Sequence, residues 1–243
     1  MEHELEKFIK YIKNEKHMSV NTELSYTRDL KKLCQFEQKN GVLNAAQLTS
    51  TNLTSFILDM EQKGFSPATI SRTIASVKAF VTFLVKEGKL KEDISVVLKA
   101  PKLERKQHQH ISEEEIEKLL SQPDTNTPKG MRDRAMLELL YSAGIRVTQL
   151  IELDVEDVNL KLGFVKCDQR SIPLNAEALN AVSDYIGKAR HSFLKLEDNS
   201  LLFYNCSGSA MSRQGFWKML KGYANQAEIE SEITPHTIRS AVN

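Results

Sequence analysis

Thr234-Pro235-His236-Thr237-Ile238-Arg239-Ser240-Ala241-Val242-Asn243 closes the chain and reads as the opening of a helix. Thr234 offers an oxygen to the first free backbone N–H groups, and Pro235 suits the first helical position. His236 and Arg239 then sit three residues apart on one face. A cation pair aimed from one face suits a phosphate, so the stretch reads as part of a phosphoryl-transfer site whose remainder lies past residue 243. The helix has barely two turns, and an isolated helix of that length is marginal in water. The expectation is therefore an exposed apolar patch around Ile233, Ile238 and Val242, and a marginally stable second domain.

Ninety residues upstream, Gly144-Ile145-Arg146-Val147-Thr148-Gln149-Leu150 places an arginine just past a helix end, where a short following helix holds it. The helix before it starts at about Met131 and carries Ala135, Met136, Leu139, Leu140 and Ala143 on one side. Ser112 and Glu115 have the spacing of a capping box ahead of Ile116, Leu119 and Leu120. Phe164–Cys167 and Arg170–Leu174 read as two short, tightly joined strands. Further helices carry Leu179, Val182 and Ile186, and, from Ser212, Phe216, Leu220 and Tyr223. The second half is thus mainly α with a small antiparallel sheet.

The first hundred residues carry only helical periodicity. Leu5, Phe8, Ile9 and Ile12 mark one helix, Tyr26, Leu30 and Leu33 a second, and Leu53, Phe56, Ile57 and Met60 a third that stops at Gly64. The fourth is capped by Ser66 and opened by Pro67, with Ile70, Ile74, Val77, Val81 and Leu84 as its stripe and Ser71, Arg72 and Lys78 on the other face. A polar, basic, Pro-led stretch from Pro101 to His110 has the composition of a linker. The expected organisation is a helical domain over 1–100, a linker over 101–111 and a second domain over 112–243. His108 and His110 have no further ligands nearby and read as linker residues, with no metal site.

The 243 residues, 41% of them apolar, suffice for one large or two modest soluble domains. No run approaches bilayer-spanning length, and the N-terminus lacks the basic-then-apolar order of a secretory signal, so a cytoplasmic protein without membrane association is expected. Cys34, Cys167 and Cys206 are odd in number and far apart, which suits neither a disulfide framework nor zinc. The net charge of +1 hides an asymmetry: 18 Lys/Arg stand against 13 Asp/Glu in residues 1–110, and 15 against 19 beyond. The basic excess of the N-terminal half is a modest polyanion signal.

Taken together, the stretches SVNTELSYTRDLKKL, SPATISRTIASVKAFVTFL, GMRDRAMLELLYSAGIRVTQLIEL, LFYNCSGSAMSRQGFWKMLKGYA and TPHTIR resemble the tyrosine recombinase (phage integrase) family, of the XerD type, from end to end. The resemblance implies a helical, SAM-like core-binding domain followed by an α+β catalytic domain. It implies a clamp on double-stranded DNA, strand cleavage through a 3′-phosphotyrosine, and no metal or nucleotide cofactor. It also implies partners: a full-length tyrosine recombinase, or further copies of the chain on DNA. Arg146 and Arg239 match the family's two catalytic arginines, whose planar forks suit the non-bridging oxygens of the scissile phosphate. His236 matches the histidine beside the second arginine. Arg72, Lys78, Lys102, Arg105 and Lys106 are the expected backbone contacts.

Departures from the family pattern accompany the match. Gln149 stands where an acid usually follows the first arginine, which predicts looser positioning of Arg146. The hairpin that normally carries a general-acid lysine is several residues short, leaving Lys166 on the strand as the nearest substitute. All six tyrosines, Tyr11, Tyr26, Tyr141, Tyr185, Tyr204 and Tyr223, precede Arg239 in contexts that predict packing, so none is expected to be the nucleophile. Three functions stay open: a DNA-binding relative inactive alone in cleavage, an active recombinase whose tyrosine comes from a continued reading frame or in trans, and a non-catalytic regulator of a full-length recombinase.

Overall fold

Four amphipathic stretches at the N-terminus fold as α1 (Glu2–Asn14), α2 (Val20–Lys39), α3 (Ser50–Gln62) and α4 (Pro67–Lys86). The structure, a computed structural model, describes residues 1–102, 111–194 and 200–241, and separates into the units Met1–Lys106 and Gln107–Asn243. The cap residues start the helices as their chemistry demands. The Ser19 and Ser66 hydroxyls accept from the backbone N–H of Thr22 and Thr69 at 3.3 Å, and Gly64 and Gly88, both at positive φ, follow α3 and α4.

The core of this unit is aromatic and aliphatic. Phe8 of α1 meets Phe80 and Phe83 of α4, each at a 5.4 Å ring separation, and stacks on Tyr26 of α2. One ion pair fixes the register of α2 on α4. Asp29, with no exposed surface, accepts from Arg72 Nε and Nη2, each at 2.9 Å, and from the Ser76 hydroxyl at 3.3 Å. The expectation that no segment has the length and apolarity of a membrane span is corrected at α4, a 20-residue helix with a hydropathy of 1.4 over its most apolar window. Half of that window is buried within the protein, so its apolar character is what a core helix needs.

Glu37 of α2 is fully buried, and neither carboxylate oxygen has a hydrogen-bond partner. Burial pushes its carboxyl above the usual range. The folded chain then holds this proton more tightly than the unfolded chain. Its stability contribution is complete below the unfolded pKa and is lost as pH rises through the raised value. Urea midpoints measured from about pH 4 to about pH 8 should fall for the native chain and fall less for Glu37→Gln.

In the second unit, α5 (Glu113–Ser121) opens on the expected capping box: Glu115 N–H donates to the Ser112 hydroxyl, and Ser112 N–H to the Glu115 carboxylate. The central helix α6 (Pro128–Ala143) begins three residues before the predicted Met131, because Thr127 caps it and Pro128 takes the first position. It is buried on most of its sides, with Ala135, Met136, Leu137, Leu139 and Leu140 fully buried and Arg132, Asp133 and Glu138 buried among them. Gly144, at φ +59°, ends it in the left-handed conformation and turns the chain into α7 (Val147–Ile151).

A sheet of order β1-β2-β3 follows, from β1 (Val158–Asn159), β2 (Phe164–Cys167) and β3 (Arg170–Pro173), all antiparallel. The β2–β3 turn is the two residues Asp168-Gln169, both left-handed at φ +46° and +63°, between the paired Cys167 and Arg170. That is the backbone of a tight primed turn. Helix α8 (Ala176–Asp184) packs on α6 and continues through a π turn, Tyr185–Ala189, and a 3₁₀ turn, Arg190–Phe193. Helices α9 (Arg213–Gln226) and α10 (Pro235–Ser240) complete the unit.

The predicted apolar patch near the end of the chain is not there. Ile233 is 4% and Ile238 1% exposed, since α10 lies against α6 and both side chains join the unit's core. Val242 lies outside the described residues. Tertiary packing supplies what so short a helix lacks alone.

Candidate nucleic-acid interface

Three local structures position the candidate site. Arg146 is the residue before α7, held because its backbone N–H donates to Gln149 Oε1 at 2.7 Å while its carbonyl accepts from Leu150 N at 2.9 Å. Leu150, fully buried, anchors that turn. On α10, Thr234 and Thr237 cap each other reciprocally, and buried Ile238 aims His236 and Arg239 outward. The loop into α10 is pinned by the Ser231 hydroxyl, which donates to Glu115 at 2.9 Å. The Ser112 N–H and this hydroxyl both hold the Glu115 carboxyl below its ordinary pKa.

The third element is α9. Phe216, Leu220 and Tyr223 face the core, while Arg213, Gln214 and Trp217 face outward. Trp217 is 43% exposed, and Lys221 Nζ lies 4.2 Å from its ring centroid.

These elements meet. Arg146, Val147 and Thr148 line one open cleft of about 770 Å³ with Arg213, Gln214, Trp217, Thr234, Pro235, His236 and Arg239. Residues ninety positions apart in sequence thus share one cationic depression. Sequence reasoning missed Arg213, Gln214 and Trp217. Their signal was present, since Arg213 and Trp217 are four apart on an exposed face adjoining buried Phe216 and Leu220.

The other expected residues lie elsewhere. Lys166 sits on β2 opposite Ser171, exposed, in a neighbouring cleft of about 550 Å³ with Gln149, Asp168 and Arg170. It is absent from the residues lining the Arg146 cleft, because the two-residue turn leaves no loop to carry a cation across. Arg72 commits two of its guanidinium nitrogens to Asp29, and that carboxylate raises the Arg72 pKa. Lys78 and Lys102 are exposed; Arg105 and Lys106 lie outside the described residues. No tyrosine lines the cationic cleft among the described residues: Tyr185 and Tyr204 are buried, and Tyr223 donates to Asp133 at 2.8 Å. The cysteines are free thiols, Cys34 and Cys167 buried and Cys206 exposed.

Comparison with known proteins matches this arrangement to one family. The profile of the phage integrase family covers residues 109–243, and that of the phage integrase N-terminal SAM-like domain covers residues 5–88. The chain is 35% identical to tyrosine recombinase XerD of Listeria innocua over 242 residues, 97% of this chain and 82% of that one. It is 37% identical to tyrosine recombinase XerD of Oceanobacillus iheyensis over 246 residues, 98% and 82% of the two chains. Among solved structures, the Tn1549 transposon integrase in complex with circular intermediate DNA superposes with a TM-score of 0.74 at 20% identity, over 97% of this chain and 83% of that one. A lambda integrase dimer bound to a COC′ core site gives 0.74 at 14% identity, over 100% and 84%. By the profiles, the relatives and the fold alike, the chain belongs to the phage integrase family of tyrosine recombinases and is XerD-like.

Proposed function

We propose that this chain binds duplex DNA in site-specific recombination and seats one phosphodiester between Arg146, His236 and Arg239. The observation that carries this reading is the single cleft those three side chains line. Each guanidinium offers a planar fork of N–H donors to two phosphate oxygens and stays charged at any working pH. Charge that gathers on a pentavalent phosphorus would meet donors already in place. The imidazole adds a hydrogen-bond donor, or a proton acceptor in its neutral form. Arg213 adds a third guanidinium to the lining.

Outside the cleft, Lys78, Lys102, Arg105 and Lys106, with the unpaired edge of Arg72, would contribute phosphate contacts without reading sequence. A full-length tyrosine recombinase, or further copies of the chain, would occupy the same DNA. The nucleophilic tyrosine would reach the cleft from outside the residues that line it.

The test is fluorescence anisotropy of a labelled duplex across a salt series. Affinity is expected to fall steeply with salt. Arg146→Ala and Arg239→Ala should each weaken binding about tenfold and shrink the slope of log K against log salt by about one unit. Slopes identical to the native one in both variants would sink the reading.

A further inference from the structure

Gln149 is positioned by more than its own helix. Its Oε1 accepts from the Arg146 backbone N–H at 2.7 Å, and its Nε2 donates to Asp168 Oδ2. Asp168 is the first residue of the β2–β3 turn, nineteen positions away in sequence. A relay therefore runs from the turn carboxylate through the Gln149 amide to the backbone that carries Arg146. An amide suits the middle place, because it accepts at one end and donates at the other. A carboxylate at 149 could accept from Arg146 N–H but would face the Asp168 carboxylate with no proton between them.

We infer that Asp168 is a positioning residue for Arg146, supplying from the shortened hairpin the acid that position 149 lacks. Short hairpin and neutral Gln149 are then a single arrangement. A two-residue turn brings the carboxylate within reach of α7, and the amide converts it into a hold on the arginine's backbone. The expectation of a loosely placed Arg146 is reversed: the loop is fastened at both ends, by buried Leu150 and by the Gln149–Asp168 bond. This inference rests on the phosphate-seat reading of the cleft.

Trp217 is the sole tryptophan of the chain and lines the cleft with Arg146, so its fluorescence reports phosphate there directly. The probe is inorganic phosphate, titrated into the native chain and five variants. Asp168→Gly keeps the left-handed turn residue but removes the acceptor, and should weaken phosphate binding about threefold to tenfold. Asp168→Asn keeps an acceptor and a residue at ease in that conformation, and should stay within about twofold of native. Gln149→Glu should weaken binding like the glycine variant. Gln149→Glu combined with Asp168→Asn exchanges donor and acceptor and should restore it, a rescue that a merely structural turn would not show. Arg146→Ala marks the full loss.

If Arg146→Ala abolishes the response while Asp168→Gly binds like native, the relay is wrong and the phosphate seat stands. The same holds if the exchanged pair fails to recover the Gln149→Glu defect while its thermal melt matches native. If native fluorescence ignores phosphate, or Arg146→Ala responds like native, the seat itself falls and the relay with it.

Discussion

Asp133→Ala is expected to destabilise the C-terminal unit by about 3–5 kcal/mol. Asp133 has no exposed surface and lies at the centre of a network. One oxygen accepts from Arg132 Nε at 2.8 Å and Nη2 at 2.6 Å, and the other from Lys129 Nζ at 3.1 Å and the Tyr223 hydroxyl at 2.8 Å. Arg132 is itself only 3% exposed, so alanine at 133 strands a guanidinium in the interior with the Tyr204 carbonyl and the Cys206 sulfur as its remaining polar partners. The damage comes from the orphaned charge more than from the lost bond. Chemical denaturation should therefore show Arg132→Met/Asp133→Ala to be more stable than Asp133→Ala alone. Equal or lower stability of the double variant would contradict this account.

Gly130→Ala is the second large effect, and it needs no charge. A Cβ built on Gly130 in the first turn of α6 would lie 1.9 Å from the Asp124 carbonyl oxygen and 2.5 Å from its carbon. Both are backbone atoms that no rotamer change can move aside. Ordinary overpacking costs about 1–3 kcal/mol, and here either the Asp124–Thr127 turn or the start of α6 must shift, so about 3 kcal/mol or more is expected. Alanine normally favours a helix over glycine by about 1 kcal/mol, which gives the prediction a sign opposite to propensity. A thermal melt reads it, and a variant at least as stable as native would overturn it.

Much of the fold was legible because it is written locally. Ser66-Pro67, the Ser112–Glu115 box and Thr234-Pro235 each satisfy backbone donors within three residues, and the caps form where the letters place them. The aliphatic stripe of α4 is likewise a local pattern that becomes the core. The illegible parts are long-range. Arg72 pairs with Asp29 43 positions away and Asp133 with Tyr223 90 away, and neither partner is implied by its neighbours. β1 is two residues long, too short for an alternating pattern. The burial of Ile233 and Ile238 depends on α6, so reading the last helix as an isolated peptide gave the wrong exposure.

The candidate site divides the same way. Arg146, His236 and Arg239 were found by resemblance and share one cleft. Arg213 and Trp217 were missed because α9 was read only for its apolar residues Phe216, Leu220 and Tyr223. Lys166 was chosen for its charge and proximity in sequence, but strand geometry sets its direction, and the turn has no length with which to change it.

That turn also offers an engineer a place to insert chain, at the expense of the Asp168 hold on Gln149. Cys167 and Arg170 pair across it, so residues inserted between Gln169 and Arg170 are expected to loop outward and keep the register of β2 on β3. A flexible glycine–lysine extension grafted between them would test whether an ammonium delivered from this edge changes how the protein handles a DNA backbone, while the rest of the scaffold keeps its native sequence.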